Sequence, residues 1–339
     1  MKKRVLITGS AGLLGHHLFN YLNAYKHDIL CIDDLSNGPE ENIRGQNNFV
    51  RLDLCNSKKT EKAFQKFKPE IVHHLACWPH EGLSQFCPEL VTKSVYLASL
   101  SVFKAAINCG SLERLVFYSS MARFGHGNFK PPFTEDMPRA PEDIYAIAKC
   151  ASERSLEILA SIHKFSYNIA VPRNIFGPGL VLDDPYRNVL GIFSNSILRG
   201  KPVYIYGDGM QRRTLSYIED ILEPMAKLGF DEKVSNQIIN LGSSQVYTIN
   251  ELAQMIIDEF ELKLKPVYLP ERPCEVKDAF CSVEKSKRLL GFKETVSVKE
   301  GIHKLVEWVK HVGPKEPRYL EKLEIEAYAP EVWTKKMLR

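Results

Sequence analysis

Residues 9 to 15 read GSAGLLG, between an apolar run, Val5-Leu6-Ile7-Thr8, and a stretch of helical period. Three glycines spaced by two at a strand-to-helix corner restrict the fold more than any other feature of this chain. A corner alone needs one. Gly9 ends the strand, where a residue without Cβ can take the tight turn; Gly12 lets the backbone approach a pyrophosphate; Gly15 lets the new helix lie against the sheet. The helix N-terminus then presents free N–H groups and its positive dipole end to phosphate. An isolated G-x-x-G-x-x-G also fits a turn that holds no ligand, so the flanking sequence has to decide.

The flanks point to a dinucleotide. "ILCIDD" follows as a second strand, and Asp33 at its end is placed to bind the hydroxyls of an adenosine ribose. A carboxylate there repels a 2′-phosphate, which favours NAD over NADP. Asp53 in "RLDL" closes a third strand, within reach of the adenine amino group. Up to about residue 170 the β-rich runs RVLITG, HDILCID, NFVRLDL, EIVHHLA, ERLVFYSS and FSYNIAVPR alternate with helical segments. Such alternation means crossovers and a parallel sheet, and runs apolar on both faces mean strands buried between two helix layers. The expected fold is α/β, a doubly wound parallel sheet over residues 1–175. "SYIEDILEPMAKLGF" and "NQIINLGS" return to it at about 215–245. A smaller, turn-rich lobe spans 176–320, and a tail spans 321–339.

With 339 residues, 44% hydrophobic and 25% charged, the chain can bury a large core. Its net charge of +4 is spread along the sequence, which does not suit a nucleic-acid partner. No run of about 18 apolar residues suggests a membrane span, and the first apolar run leads into glycines rather than a cleavable signal, so a cytoplasmic location is expected. The eight cysteines show no C-x-x-C pairing and sit mostly in apolar segments, as reduced small hydrophobes do; no metal site is expected.

The chemistry is concentrated in "IYAIAKCASE". Tyr145 and Lys149 are four apart, on one face of a helix, where the ammonium is expected to stabilise a phenolate and lower the tyrosine from its reference of about 10. Such a tyrosine exchanges a hydroxyl proton near neutral pH. Ser119 and Ser120 end the strand in "VFYSSMARFG", ready to hydrogen-bond the same oxygen.

Together these segments resemble the extended short-chain dehydrogenases/reductases, in particular the NAD-dependent nucleotide-sugar epimerases and dehydratases. The likeness runs through GSAGLLG, DDLSNG, HLA, SSMARFG, YAIAK, PRNIFGPG, YGDGMQRRTLSYIED, NLGSS and RPCEVKD. It implies a catalytic set of Ser120, Tyr145 and Lys149, with Ser120 chosen over Ser119 because it lies five residues before Gly125. It also implies that NAD is held by Gly9, Gly12, Gly15, Asp33, Asn37, Asp53, Leu54, Leu75, Ala76, Tyr145 and Lys149. Ser120, Asn174, Arg213 and Arg272 would hold a nucleotide-sugar substrate, the two guanidinium groups suiting phosphate oxygens.

The chain departs from the family pattern at Ser94, Phe124, Cys274 and Ser282, and at Pro79 and His80, where relatives carry Lys or Arg. The residues after Ser120 are Met121, Ala122 and Arg123, without the acid that sugar dehydratases and decarboxylases carry there. Elimination therefore lacks its expected catalyst.

The reading favoured by the resemblance is a 4-epimerase acting on a UDP-hexose or UDP-hexuronate through a transient 4-keto sugar. The alternatives are a dehydratase or 4-dehydrogenase/reductase on a GDP-, CDP- or dTDP-sugar and, in another class, a non-catalytic NAD-sensing protein. The family also implies a homodimer built on two helices, here about 88–109 and 143–163, with Leu97, Leu100, Leu156 and Leu159 free to face a partner or the core.

Overall fold

The computed structural model describes residues 2–125, 129–272 and 276–339. Seven strands, β1 (Arg4–Thr8), β2 (Asp28–Asp33), β3 (Phe49–Arg51), β4 (Ile71–His74), β5 (Arg114–Tyr118), β6 (Ser166–Pro172) and β7 (Gln237–Leu241), form one sheet in the order β7-β6-β5-β4-β1-β2-β3. Every pairing is parallel. The strand order reverses beside β1, and open sheets of this kind bind ligands at such a point, beyond the carboxyl ends of the strands.

β4 and β5 are buried along their whole length because helices cover both faces of the sheet. On one side α1 (Leu13–Ala24) and α5 (Ile218–Phe230) bury Leu18, Leu22, Ile221, Met225 and Leu228. On the other, α2 (Ser57–Phe67), α3 (Pro88–Asn108) and α4 (Ile144–His163) bury Phe64, Val102, Phe103 and Leu156. Asn56 and Asp143 start α2 and α4 by accepting from the backbone N–H groups of Lys59 and Ala146. α3 passes through one π turn at Lys93–Leu97. It is long and apolar enough to cross a membrane, with mean hydropathy 1.4, and half of that stretch is buried in the protein.

α5 and β7 carry the chain back to the sheet from the second lobe. In that lobe, Arg212–Thr214 pairs antiparallel with Val246–Thr248 and parallel with Asp278–Ala279. The C-terminal segment folds back over the first half. Val332, Trp333 and Leu338 form a cluster with Tyr186, Tyr319 and the loop residues Leu83, Phe86 and Cys87. Glu324 accepts from the backbone N–H groups of Glu89 and Leu90, at the start of α3. The tail thus braces the loop that follows β4.

Seven of the eight cysteines are described, and all are free thiols; Cys274 lies outside the described residues. Burial pushes the Cys31 and Cys150 thiols up to about 12, so both stay protonated, as small hydrophobes would. Among the described residues no cluster of His, Cys, Asp or Glu is arranged to hold a metal ion.

Candidate active site

The glycine corner is built as three different contacts. Gly9 takes φ +72°, and a Cβ there would stand 2.7 Å from the Ala76 nitrogen on the neighbouring strand's exit. A Cβ on Gly15 would lie 2.2 Å from the Gly9 carbonyl oxygen, so α1 can lie against the loop only as glycine. Gly12 differs, since a Cβ there meets only the Gly9 oxygen, at 3.3 Å, and the space beyond it is open. Gly12 is also the N-cap of α1 and brings no side-chain cap. An uncapped helix end beside open space is a cradle for an anionic group.

This cradle opens into a cavity of about 460 Å³ that runs from the glycines past Asp33, Asp53 and Leu54 to Ser120 and Tyr145, and on to Asn174 and Arg213. Asp33 accepts from the N–H of Ala11 at 3.0 Å and of Leu35 at 2.8 Å, which ties the end of β2 to the glycine loop. Burial raises its carboxyl while these N–H groups hold it down. Asp53 accepts from Cys55 N–H at 2.8 Å. Leu75 and Ala76 also line the cavity, and Asn37 does so with its amide turned to Asp184, 3.2 Å away. The residues of the cradle fit the diphosphate, ribose and adenine of a dinucleotide. NADP is expected to bind at least ~10²-fold more weakly than NAD, because its 2′-phosphate would face the Asp33 carboxylate. Titration with both cofactors checks this, and equal affinities overturn the ribose assignment.

At the other end, Ser119 and Ser120 go different ways. Ser119 donates to buried Glu153, which also takes ion pairs from Arg123 and Arg139. Ser120 lines the cavity; its Oγ accepts from Ala122 N–H at 3.2 Å and donates to Glu81 Oε1 at 3.3 Å. The Tyr145 ring is 4% exposed and packs on Val91, Val95 and Ala148, with Ser120 beside it on the cavity lining. Lys149 Nζ donates to the Tyr118 carbonyl at 2.6 Å and stands 5.7 Å from the Tyr145 ring centroid.

The expected lowering of the phenol is not what this arrangement gives. Burial pushes Tyr145 well above its ordinary value, and the charge of Arg187 and the nearby Ser120 hydroxyl oppose it only in part. Lys149 has its ammonium anchored on a backbone carbonyl instead.

In the second lobe Asn174, at φ +36°, donates to the Thr214 carbonyl at 3.0 Å. Arg213 lines the cavity and donates to the carbonyls of Arg212 and Lys277. The other predicted phosphate ligand, Arg272, lies over the Tyr206 ring with its Cζ 4.7 Å from the centroid, next to residues outside the described set. His80, at a departure from the family pattern, is buried with Nε2 2.7 Å from Asp184 Oδ2. Its neighbour Pro79 takes a hydrogen bond from Arg187.

Sequence reasoning missed Glu81, Asp143, Asp184 and Arg187, all of which line the cavity. Glu81 and Asp143 bring carboxyl groups to the Ser120 end of the cavity, where the sequence after Ser120 offered none. The signal for Glu81 was its position just past a buried strand, where loops of such sheets carry function.

The doubly wound sheet, the glycine cradle and the Ser120/Tyr145/Lys149 grouping at one cavity define an extended short-chain dehydrogenase/reductase. More narrowly, the chain belongs to the NAD dependent epimerase/dehydratase family, whose sequence profile matches residues 5–242. It is 28% identical over 316 residues to a UDP-glucose 4-epimerase of Mycolicibacterium smegmatis, covering 91% of this chain and 99% of the relative. It is also 28% identical over 327 residues to a UDP-N-acetyl-alpha-D-glucosaminuronate decarboxylase of Bacillus cytotoxicus, covering 92% of this chain and 99% of that one. The structure is similar to that of a UDP-glucose 4-epimerase of Thermotoga maritima determined with UDP-glucose. The TM-score is 0.85 and the identity 28%, over 91% of this chain and 99% of the other. The protein is an NAD-dependent enzyme of this epimerase/dehydratase family.

Proposed function

We propose that the protein inverts C4 of a nucleotide-diphosphate sugar, a UDP-hexose or UDP-hexuronate, through a transient 4-keto sugar. The observation that carries this is the convergence of Ser120 and Tyr145 on one end of a cavity whose other end is the glycine cradle. Tyr145 Oη takes the proton of the C4 hydroxyl, and Ser120 Oγ hydrogen-bonds the same oxygen. Lys149, fixed on Tyr118, holds positive charge beside them. NAD, which the glycine cradle and Asp33 would hold, would supply the acceptor and donor for the C4 hydride. Arg213 and Asn174 hold the diphosphate end, so the sugar is presented to the serine and tyrosine rather than left to diffuse.

The test is incubation of the purified enzyme with UDP-, GDP-, CDP- and dTDP-sugars, followed by NMR. A C4-inverted product with no net change in NADH absorbance is expected. Elimination or decarboxylation products in its place overturn the epimerase assignment. The second reading, a dehydratase or a 4-dehydrogenase/reductase, draws support from the Glu81 carboxylate beside Ser120 and from the decarboxylase among the relatives.

We also propose a cytoplasmic homodimer formed through α3 and α4. Leu97 is 51% exposed, but Leu156 faces the core and Leu100 and Leu159 are half-buried. The apolar residues that α4 leaves exposed are Ile147, Ile158 and Ile162. Apolar side chains of this size on two adjacent helices suit a two-fold contact. Light scattering at micromolar concentration is expected to give a dimer mass, and a monomer overturns the proposal.

A further inference from the structure

No acid follows Ser120 in the sequence, yet a carboxylate meets its hydroxyl. β4 and β5 are parallel neighbours, so the loops leaving their carboxyl ends come together. The loop after β4 is held firmly. Ser84 N–H donates to the His80 carbonyl, and Ser84 Oγ donates to the Glu81 carbonyl. Leu83 and Phe86 are pinned in the cluster with Trp333. This leaves the Glu81 side chain facing the cavity, with Oε1 3.3 Å from Ser120 Oγ. Ser120 Oγ and Tyr145 Oη are the atoms assigned above to the C4 oxygen, so the Glu81 carboxylate stands beside the carbons that flank C4.

We propose that Glu81 is a further catalytic residue, a base that takes the proton from a carbon next to the 4-ketone, so that the protein exchanges sugar hydrogen at C3 or C5 with solvent. The inference rests on the 4-keto reading. The C–H bond breaks and an O–H bond forms on Glu81. The C–H pair becomes the new C–C double bond, and the carbonyl pair moves onto O4, where Ser120 and Tyr145 hydrogen-bond the resulting enolate. Return of a proton from Glu81, after exchange with solvent, to the same face of the carbon restores the ketone, with no net redox change. Asp143 lines the same cavity from the start of α4. Burial pushes its carboxyl up to about 7, with the charge of Glu81 adding to the rise.

The experiment supplies the ketone directly. NAD-loaded enzyme is incubated in D2O with a UDP-4-keto-6-deoxyhexose, and the recovered nucleotide is read by mass spectrometry and NMR. A gain of deuterium at C3 or C5 is expected, at least ~10²-fold faster than without enzyme, the scale of one positioned base. Glu81→Gln is expected to remove this acceleration, and Glu81→Asp to restore part of it. A wild-type enzyme that adds no carbon-bound deuterium overturns the proposal, as does a Glu81→Gln enzyme that exchanges as fast as wild type. Exchange with the supplied ketone but no C4 chemistry on any nucleotide sugar overturns the 4-keto reading instead. C4 inversion without exchange overturns the role of Glu81 alone.

Discussion

Tyr145→Phe is expected to lower turnover of the nucleotide-sugar substrate by at least ~10²-fold, the scale of a positioned acid–base group, with substrate affinity nearly unchanged. The substitution removes one hydroxyl. The ring keeps its packing against Val91, Val95 and Ala148, and Arg213, the proposed diphosphate ligand on the cavity lining, is untouched. The loss therefore falls on kcat rather than on binding. Steady-state kinetics with a direct binding measurement checks this, and near-wild-type turnover overturns the mechanism. The pH dependence has a definite sign. With the phenolate as the proposed base, and with burial raising the phenol above its ordinary value, kcat should climb as pH rises from 6 to 9. In Tyr145→Phe that limb should vanish.

How the sequence carries this site differs from residue to residue. The strands were legible because β1 and β5 are apolar on both faces, as a sandwiched parallel strand requires. Tyr145 and Lys149 were legible because four residues on a helix is a contact distance. Glu81 was not, because it lies 39 residues from Ser120 and meets it only through the parallel pairing of β4 with β5. Asp184 and Arg187 come from an aperiodic loop of the second lobe, and nothing local in the sequence directs them back to His80 and Pro79. The phenol shift was misread for a related reason. Spacing gives the proximity of Lys149, whereas burial of Tyr145 depends on the helix and loop packed around it.

The three glycines allow a sharper test than the motif itself, because the structure assigns them unequal neighbours. In Gly15→Ala the new methyl would stand 2.2 Å from the Gly9 oxygen and 2.7 Å from the Ser10 Cα, both backbone atoms that cannot rotate away. Relief requires moving the loop, which strains the Gly9 N–H bond to the Ile32 carbonyl and the Ala11 N–H bond to Asp33. Overpacking of this kind costs about 1–3 kcal/mol or more. Gly15→Ala should therefore lower the melting temperature measurably and weaken NAD by at least ~10²-fold. Gly12→Ala meets only one protein atom, at 3.3 Å, with φ −70°, which any residue adopts. It should melt close to wild type and yet lose NAD to a similar degree, since its methyl would occupy the approach to the phosphates. Calorimetry on the two variants, with and without NAD, separates these outcomes. If Gly12→Ala binds NAD as wild type does, the open space at the uncapped end of α1 is not the pyrophosphate site.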